Sequence, residues 1–215
     1  SGVALILVGN QGENMIGVAS GANAKLTPHC VNAQRDRFND AACVLMQLET
    51  PLNTIETAAT LAKASHCKVI LNPAPAQHLP ASLLAKIDVI TPNETEAHWL
   101  TGITVTDSSS AHDAAVQLRE HGVGTVIITL GDQGAYLLDD THDELVPGFN
   151  VKAVDTTAAG DTFNGALAVA LGQGQTMKTA TQFANAAAAL SVTQAGAQPS
   201  VPYLKDVEAF LADAL

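Results

Sequence analysis

The feature that most constrains the fold is an alternation of short apolar runs with helix-like segments, which begins near residue 42. The apolar runs are continuous, as in parallel strands covered on both faces, and they lie at residues 42–47, 69–71, 88–91 and 125–130. The first of them has the pattern of a central strand. This alternation predicts a doubly wound α/β domain whose sheet is mostly parallel, with helices on both faces.

Helical periodicity fills the gaps between these runs and most of the C-terminal part of the chain. Asn53, with Glu56 three residues later, predicts the N-cap of the first of these helices. The segments predicted to be helical are residues 27–38, 53–64, 94–100, 110–121, 161–171, 179–193 and 203–214. Residues 184–190 are so rich in alanine that their helix must pack closely against another element.

Two further short β-rich runs precede the alternating part. Residues 4–8 and 14–19 flank a Gly-Asn-Gln-Gly sequence at positions 9–12, which predicts a hairpin. A strand at residues 135–138 is joined to the run at 125–130 by a Gly-Asp-Gln-Gly sequence. Because ligands of open α/β sheets bind at the carboxyl ends of the strands, the loops after Gln47, Leu71, Thr91 and Leu130 are the first candidate sites.

Composition excludes several classes of protein. Charged residues make up 14% of the chain, against about 25% in an average protein, so a large share of the chain is expected to be buried and disorder is excluded. The net charge of −11 disfavours nucleic acid and anionic membranes as partners. Three cysteines without metal-ligand spacing indicate reduced thiols in the cytoplasm. No apolar run reaches the roughly 18 residues of a membrane span.

The strongest motif lies at residues 155–165, where small residues open directly into an apolar helix. Small side chains let a ligand approach the backbone, and the first-turn N–H groups of a helix bind anions. Asp161 lies at the edge of this anion hole, where its carboxylate can accept a proton from an attacking alcohol. The alternative is that Asp161 only caps a helix. The glycine-rich motifs of P-loop proteins and of nicotinamide dehydrogenases are absent, as is the serine-hydrolase elbow.

With this stretch, the chain resembles the ribokinase-like carbohydrate kinase family, whose second signature matches residues 155–165. The likeness extends from residue 1 to residue 215. Other segments that carry it lie at residues 46–49, 72–76, 91–96, 129–131 and 196–202. The resemblance implies transfer of the γ-phosphate of ATP to the 5-hydroxyl of D-ribose, with Mg²⁺ and K⁺ as cofactors. Another sugar, such as deoxyribose or fructose, and a catalytically silent nucleotide-binding protein remain alternatives.

The resemblance also implies a role for particular residues. Asp161 would be the catalytic base and would contact the sugar together with Glu49, while Glu96 would organise Mg²⁺ through water. The residues implied to form the anion hole are Ala158, Ala159 and Gly160. Those implied to hold the nucleotide are Asn93, Thr129, Leu130, Gly131, Asp132, Gln133, Gly134, Gly160 and Asn185. Those implied to bind K⁺ are Asp155, Thr157, Ser191, Gln194, Gly196 and Ser200.

Some of these residues have a purely structural alternative. Asn93 and Glu96 also fit a helix start, Gly131 and Gly134 fit an ordinary hairpin, and Asn185 fits a satisfied core amide. The resemblance further implies that residues 1–20 are half of a β lid through which the family forms homodimers, and that residues 21–215 form the nucleotide-binding and catalytic domain. It implies an N-terminal segment with more of the sugar site, so that this chain alone is expected to be weak or inactive.

Overall fold

The structure is a computed structural model, and it describes residues 2–8 and 14–214. The strands that it defines are β1 (Val3–Val8), β2 (Asn14–Ala19), β3 (Cys43–Met46), β4 (Lys68–Leu71), β5 (Val89–Ile90), β6 (Thr125–Thr129), β7 (Gly134–Leu138) and β8 (Asp143–Pro147). The helices are α1 (Pro28–Asn32), α2 (Leu52–Ala64), α3 (Ala81–Leu84), α4 (Glu94–Thr101), α5 (Ser108–Glu120), α6 (Ala159–Gly172), α7 (Met177–Ser191) and α8 (Leu204–Ala214). Shorter 3₁₀ turns lie at Asn23–Lys25, Arg35–Phe38, Gly131–Gln133 and Gln198–Ser200.

Strands β3 to β8 form one mixed sheet in chain order, and β1 and β2 form a separate two-stranded sheet. The pairs β3–β4, β4–β5 and β5–β6 are parallel. Helices lie on both sides of the larger sheet, which confirms the predicted α/β class. The pairing of β1 with β2 fits the predicted hairpin, whose turn at residues 9–12 lies outside the described residues.

The expectation that residues 42–47 form a central strand is wrong for the described part of the chain. There β3 is the edge strand of the six, and Leu45 is 38% exposed. A continuous apolar run reports that both faces of a strand favour burial, and it carries no information about the order of the strands.

Two predicted helices also differ from the structure, one in its length and one in its N-cap. The segment 27–38 is not one helix, because α1 ends at Asn32, whose side-chain amide donates to Pro28 O at 2.9 Å, and Gln34 then leaves helical geometry. Helix α2 begins one residue before Asn53 and follows Pro51, so Asn53 is not its N-cap. The pattern also failed to predict α3 and β8.

By internal compactness the described chain divides into two units. The first unit comprises residues 20–130 and 136–145 together with the start of β1, and its core is formed by the apolar side chains of β4 to β6 and α2 to α5. The second comprises the rest of β1, β2, residues 131–135 and the chain from Val146 onward. In the second unit α6 packs along α7, where Ala184, Ala186 and Ala187 are buried, as the alanine-rich sequence predicted.

Candidate active site

The N-terminus of α6 is exposed and carries a carboxylate in its first turn. The helix begins at Ala159, so Gly160 and Asp161 occupy its second and third positions. The first-turn N–H groups of a helix generally lack a carbonyl partner one turn back, and they carry the positive end of the helix dipole. In α6, Ala159 N donates to Thr156 O at 3.3 Å. A Cβ built on Gly160 meets no atom within 4 Å, and both Gly160 and Asp161 are exposed. An anion can therefore approach this backbone closely, beside a carboxylate.

Ala158, the residue before α6, has a left-handed backbone conformation, with φ of 61°. Its carbonyl accepts the first helical hydrogen bond, from Thr162 N at 2.9 Å. A left-handed residue beside right-handed ones turns successive N–H groups toward one concave surface, which is a common anion-binding arrangement. Such a conformation costs an alanine about 1 kcal/mol, so the surrounding structure must hold it in place.

The Asp155 carboxylate braces the loop that leads into α6. It accepts hydrogen bonds from Gly196 N at 2.8 Å and from Thr157 N at 2.9 Å. The backbone N–H of Gly196 is the main cause that holds the pKa of Asp155 below its ordinary value, and Thr157 lowers it further. Val192 O accepts from Val154 N at 2.7 Å, which fixes the same loop to the end of α7. Asp155 is therefore ionised and rigidly placed.

The other residues predicted to bind a monovalent cation lie in the same unit, and they differ in their hydrogen bonds. Ser191 and Ser200 are buried, and their hydroxyls donate to the carbonyls of Ala188 and Ala197, at 2.8 and 2.7 Å. Gln194 N donates to Ser191 O at 3.2 Å. The Thr157 hydroxyl is buried and lies beside the Asp155 carboxylate, whose pKa it helps to lower. Of the predicted cation ligands, Thr157 and Gly196 are thus the two that bond directly to Asp155.

The loop predicted to hold the nucleotide contains two glycines with different environments. Gly131, Asp132 and Gln133 form an exposed 3₁₀ turn, and a Cβ on Gly131 would meet nothing within 4 Å. Gly134 has φ of 107°, and a Cβ there would lie 2.3 Å from Gly148 N. Gly134 is therefore a structural glycine at the base of β7, whereas Gly131 faces open space. Leu130, at the end of β6, is buried in the core of the first unit.

Asn185 is a satisfied core amide, as its structural alternative predicted. Its side-chain nitrogen donates to Val146 O at 3.0 Å and to Pro147 O at 3.2 Å, and the residue is 7% exposed. These bonds attach α7 to the end of β8. The partners of this amide were not visible from the sequence, because β8 was not predicted.

Asn93 and Glu96 form a reciprocal cap on α4. Glu96 N donates to Asn93 Oδ1 at 2.8 Å, and Asn93 N donates to Glu96 Oε2 at 2.9 Å. Burial raises the pKa of Glu96, which is 8% exposed. Asn93 also forms a parallel bridge with Thr129, so these two predicted nucleotide residues lie side by side.

Glu49 lies at the rim of a cavity of about 270 Å³ beyond the carboxyl end of β3. Asn23 lines the same cavity, and its side-chain amide donates to Glu49 Oε2 at 3.4 Å. The cavity is lined by Asn23, Leu26, Val31, Leu45, Met46, Gln47, Glu49, Thr50, Thr54, Ile55 and Ala58. The sequence indicated Glu49 through its position after a strand, but nothing in the sequence indicated Asn23, which lies 26 residues away.

Neither a metal-ligand cluster nor a membrane-spanning helix is present among the described residues. No cluster of three or more His, Cys, Asp or Glu residues able to hold a metal lies in the described part of the chain. No helix among residues 2–8 and 14–214 is long and apolar enough to span a membrane.

Comparison with known proteins assigns the family. Residues 1–204 match the pfkB family of carbohydrate kinases. The ribokinase of Haemophilus influenzae is 47% identical over 98% of this chain and 69% of its own length, and that of Staphylococcus aureus is 44% identical over 96% and 68%. A crystal structure of Thermotoga maritima ribokinase covers 99% of this chain and 70% of its own, at 40% identity and a TM-score of 0.87. The Arabidopsis thaliana ribokinase complexed with ribose and ATP covers 98% and 69%, at 33% identity and a TM-score of 0.87.

The chain therefore belongs to the pfkB family of carbohydrate kinases. It is an ATP-dependent sugar kinase, similar to the ribokinases.

Proposed function

We propose that this kinase transfers the γ-phosphate of ATP to the 5-hydroxyl of D-ribose and releases D-ribose 5-phosphate and ADP. The proposal rests mainly on one observation, the exposed Asp161 carboxylate in the first turn of α6, within a chain that is 44–47% identical to two ribokinases. Phosphoryl transfer depends on positioning and on charge stabilisation, and both can be supplied by this helix terminus.

Asp161 takes the proton of the sugar hydroxyl in the proposed mechanism. The sugar oxygen then forms a bond to the γ-phosphorus, and the bond between that phosphorus and the β,γ-bridging oxygen breaks, so that ADP leaves. The anion hole consists of Ala158, Ala159 and Gly160, whose backbone faces the charge that develops on the phosphoryl oxygens. The absence of a side chain at Gly160 leaves room for this group.

We assign the nucleotide to the exposed turn after β6 and to the start of α4. Thr129 is adjacent to Asn93, whose side chain lies at the helix N-terminus where a phosphate is favoured. Gly131, Asp132 and Gln133 are exposed and available for contact. Leu130, Gly134 and Asn185 are buried, so we assign them a structural part, which Asn185 plays through its bonds to Val146 O and Pro147 O.

The residues around Asp155 fit a monovalent cation such as K⁺. Every candidate ligand is an oxygen, from the Asp155 carboxylate, from the hydroxyls of Thr157, Ser191 and Ser200 and from the backbone or side-chain carbonyls of Gln194 and Gly196. The observation that favours an ion there is the buried hydroxyl of Thr157 beside the Asp155 carboxylate, because a cation can bind both oxygens. A bound K⁺ would add positive charge behind the anion hole.

For Mg²⁺ we propose Glu96, acting through water. A single carboxylate suits a hard cation that retains several waters and takes few protein carboxylates. The Asn93 N–H bonds only one carboxylate oxygen, Oε2, of Glu96. The Asn93 N–H orients this carboxylate by donating to it.

A second candidate is phosphorylation of deoxyribose. The deoxyribokinase of Salmonella typhi is 36% identical over 98% of this chain.

We further propose that the protein acts in the cytoplasm and pairs as a homodimer through β1 and β2. The exposed fractions of Val3, Leu5 and Val18, at 60%, 72% and 53%, support such an interface.

The test is a coupled ADP-release assay on the protein produced from its complete gene, with ATP, Mg²⁺ and K⁺. D-ribose, deoxyribose and fructose are supplied separately. We expect kcat/KM to be highest for D-ribose. A higher value for deoxyribose would support the second candidate, and no sugar-dependent release would refute both.

A further inference from the structure

The interaction between Asn23 and Glu49 joins two parts of the sequence at the cavity beyond β3. The Asn23 amide donates to Glu49 Oε2 at 3.4 Å, and both residues line the cavity. This is the one hydrogen bond recorded for Glu49 among the described residues. Glu49 is exposed, so little else restricts its side chain.

The backbone that carries Asn23 is held in place independently of Glu49. Asn23 N donates to Ser20 O at 2.9 Å, and Asn23 O accepts from Leu26 N at 3.2 Å, which closes the 3₁₀ turn. Leu26 O then accepts from the hydroxyl of Thr54 at 2.8 Å, and Thr54 is 2% exposed on α2. The turn is therefore attached to a buried position of the helix that forms one wall of the cavity.

An amide and a carboxylate have complementary roles in this geometry. A free glutamate side chain samples many rotamers, and fixing it on binding a ligand costs conformational entropy. A donor that holds one carboxylate oxygen reduces this cost and leaves the other oxygen to accept from a hydroxyl of the ligand. Hydrogen bonds in unliganded sites are often long and shorten in the complex, which suits a separation of 3.4 Å.

We propose that Asn23 is a positioning residue that orients Glu49 for sugar binding; this inference rests on the proposed function of Glu49. Asn23 acts through Glu49 and leaves the nucleotide side of the reaction unchanged.

The experiment is a double-mutant cycle in the protein produced from its complete gene, with D-ribose as the sugar. We expect Asn23→Ala to raise the KM for ribose about 5- to 10-fold, as for loss of an ordinary hydrogen bond of about 1 kcal/mol, without changing the KM for ATP. Asn23→Asp, which places two carboxylates together, raises it further. In a Glu49→Ala background, Asn23→Ala has no additional effect, because the group that it orients is gone.

Asn32→Ala is the matched control. Asn32 bonds to Pro28 O in the same unit and does not line this cavity, so the KM for ribose should stay unchanged. An equal effect of Asn23→Ala with and without Glu49 would overturn the proposal, as would a rise in the KM for ATP. If Glu49→Ala raises the KM for ribose and Asn23→Ala does not, the role of Asn23 is refuted and that of Glu49 is kept. If neither variant changes the KM for ribose, the assignment of Glu49 to the sugar is refuted as well.

Discussion

Replacing Gly134 by alanine tests whether the base of the β7–β8 hairpin is as tightly packed as the structure shows. A Cβ at this position would lie 2.3 Å from both Gly148 N and Val146 O. Real Cβ atoms do not approach backbone atoms this closely, so β8 would have to move away. The φ of 107° is itself unfavourable for an L-residue, by about 1–3 kcal/mol.

The expected magnitude follows from these contacts. Overpacking against backbone costs about 1–3 kcal/mol, and movement of Gly148 would break its hydrogen bond to Gln133 O, now 2.9 Å long, for about 1 kcal/mol more. We therefore expect Gly134→Ala to lower the free energy of unfolding by about 3–7 kcal/mol. This is a large fraction of the roughly 5–15 kcal/mol that stabilises a typical domain.

Gly131→Ala is the matched control, three residues earlier in the same loop. Its φ of 57° is the ordinary left-handed value, and its Cβ would meet nothing within 4 Å, so the cost should be about 1 kcal/mol. Urea denaturation of both variants measures the difference. Equal unfolding free energies for the two would refute the close approach at Gly134. A raised KM for ATP in Gly131→Ala, with stability nearly kept, would further support nucleotide binding at this turn.

Three other perturbations test separate parts of the account. Gly160→Val should lower kcat/KM for ATP about 10²-fold, because its side chain would fill the proposed anion hole. Gly165→Ala, at another open glycine of α6, should leave kcat/KM unchanged. Equal kcat/KM values for the two variants would contradict an anion hole at Gly160. Asn185→Ala should cost about 1–3 kcal/mol in urea unfolding, because the carbonyls of Val146 and Pro147 lose their donor, and an unchanged midpoint would contradict that role. Because its folded pKa is lowered, Asp155 contributes stability that is present above about pH 4 and is lost as the pH falls further. In thermal melts below that pH, the melting temperature of Asp155→Asn should therefore fall less than that of the unmodified protein.

Local patterns predicted much of the fold, because the strand and helix signals depend on neighbouring residues in the sequence. The parallel strands β4, β5 and β6 and the helices α4 to α8 follow from apolar runs and helical periodicity in single stretches of sequence. The position of β3 at an edge did not follow, since strand order depends on pairing between distant segments. Strand β8 was missed because Asp143 and Glu144 interrupt its apolar pattern.

In the candidate site, too, features encoded in neighbouring residues were predictable and contacts between distant residues were not. Gly160 and Asp161 were predictable, because the small residues and the helix that make an anion hole are adjacent in the chain. The bonds from Asn185 to β8 and from Asn23 to Glu49 span 26 to 39 residues, and no local pattern encodes such contacts. The cap formed by Asn93 and Glu96 was visible as an alternative, but only the structure shows that both of its hydrogen bonds form.

The most direct test of the account is the turnover of Asp161→Asn beside its affinity for ATP, both measured in the protein produced from its complete gene. The account predicts that kcat with D-ribose falls about 10²- to 10⁴-fold, as for loss of a general base, while the dissociation constant of ATP stays nearly unchanged. A variant that keeps full turnover would contradict the central claim that Asp161 takes the proton of the sugar hydroxyl.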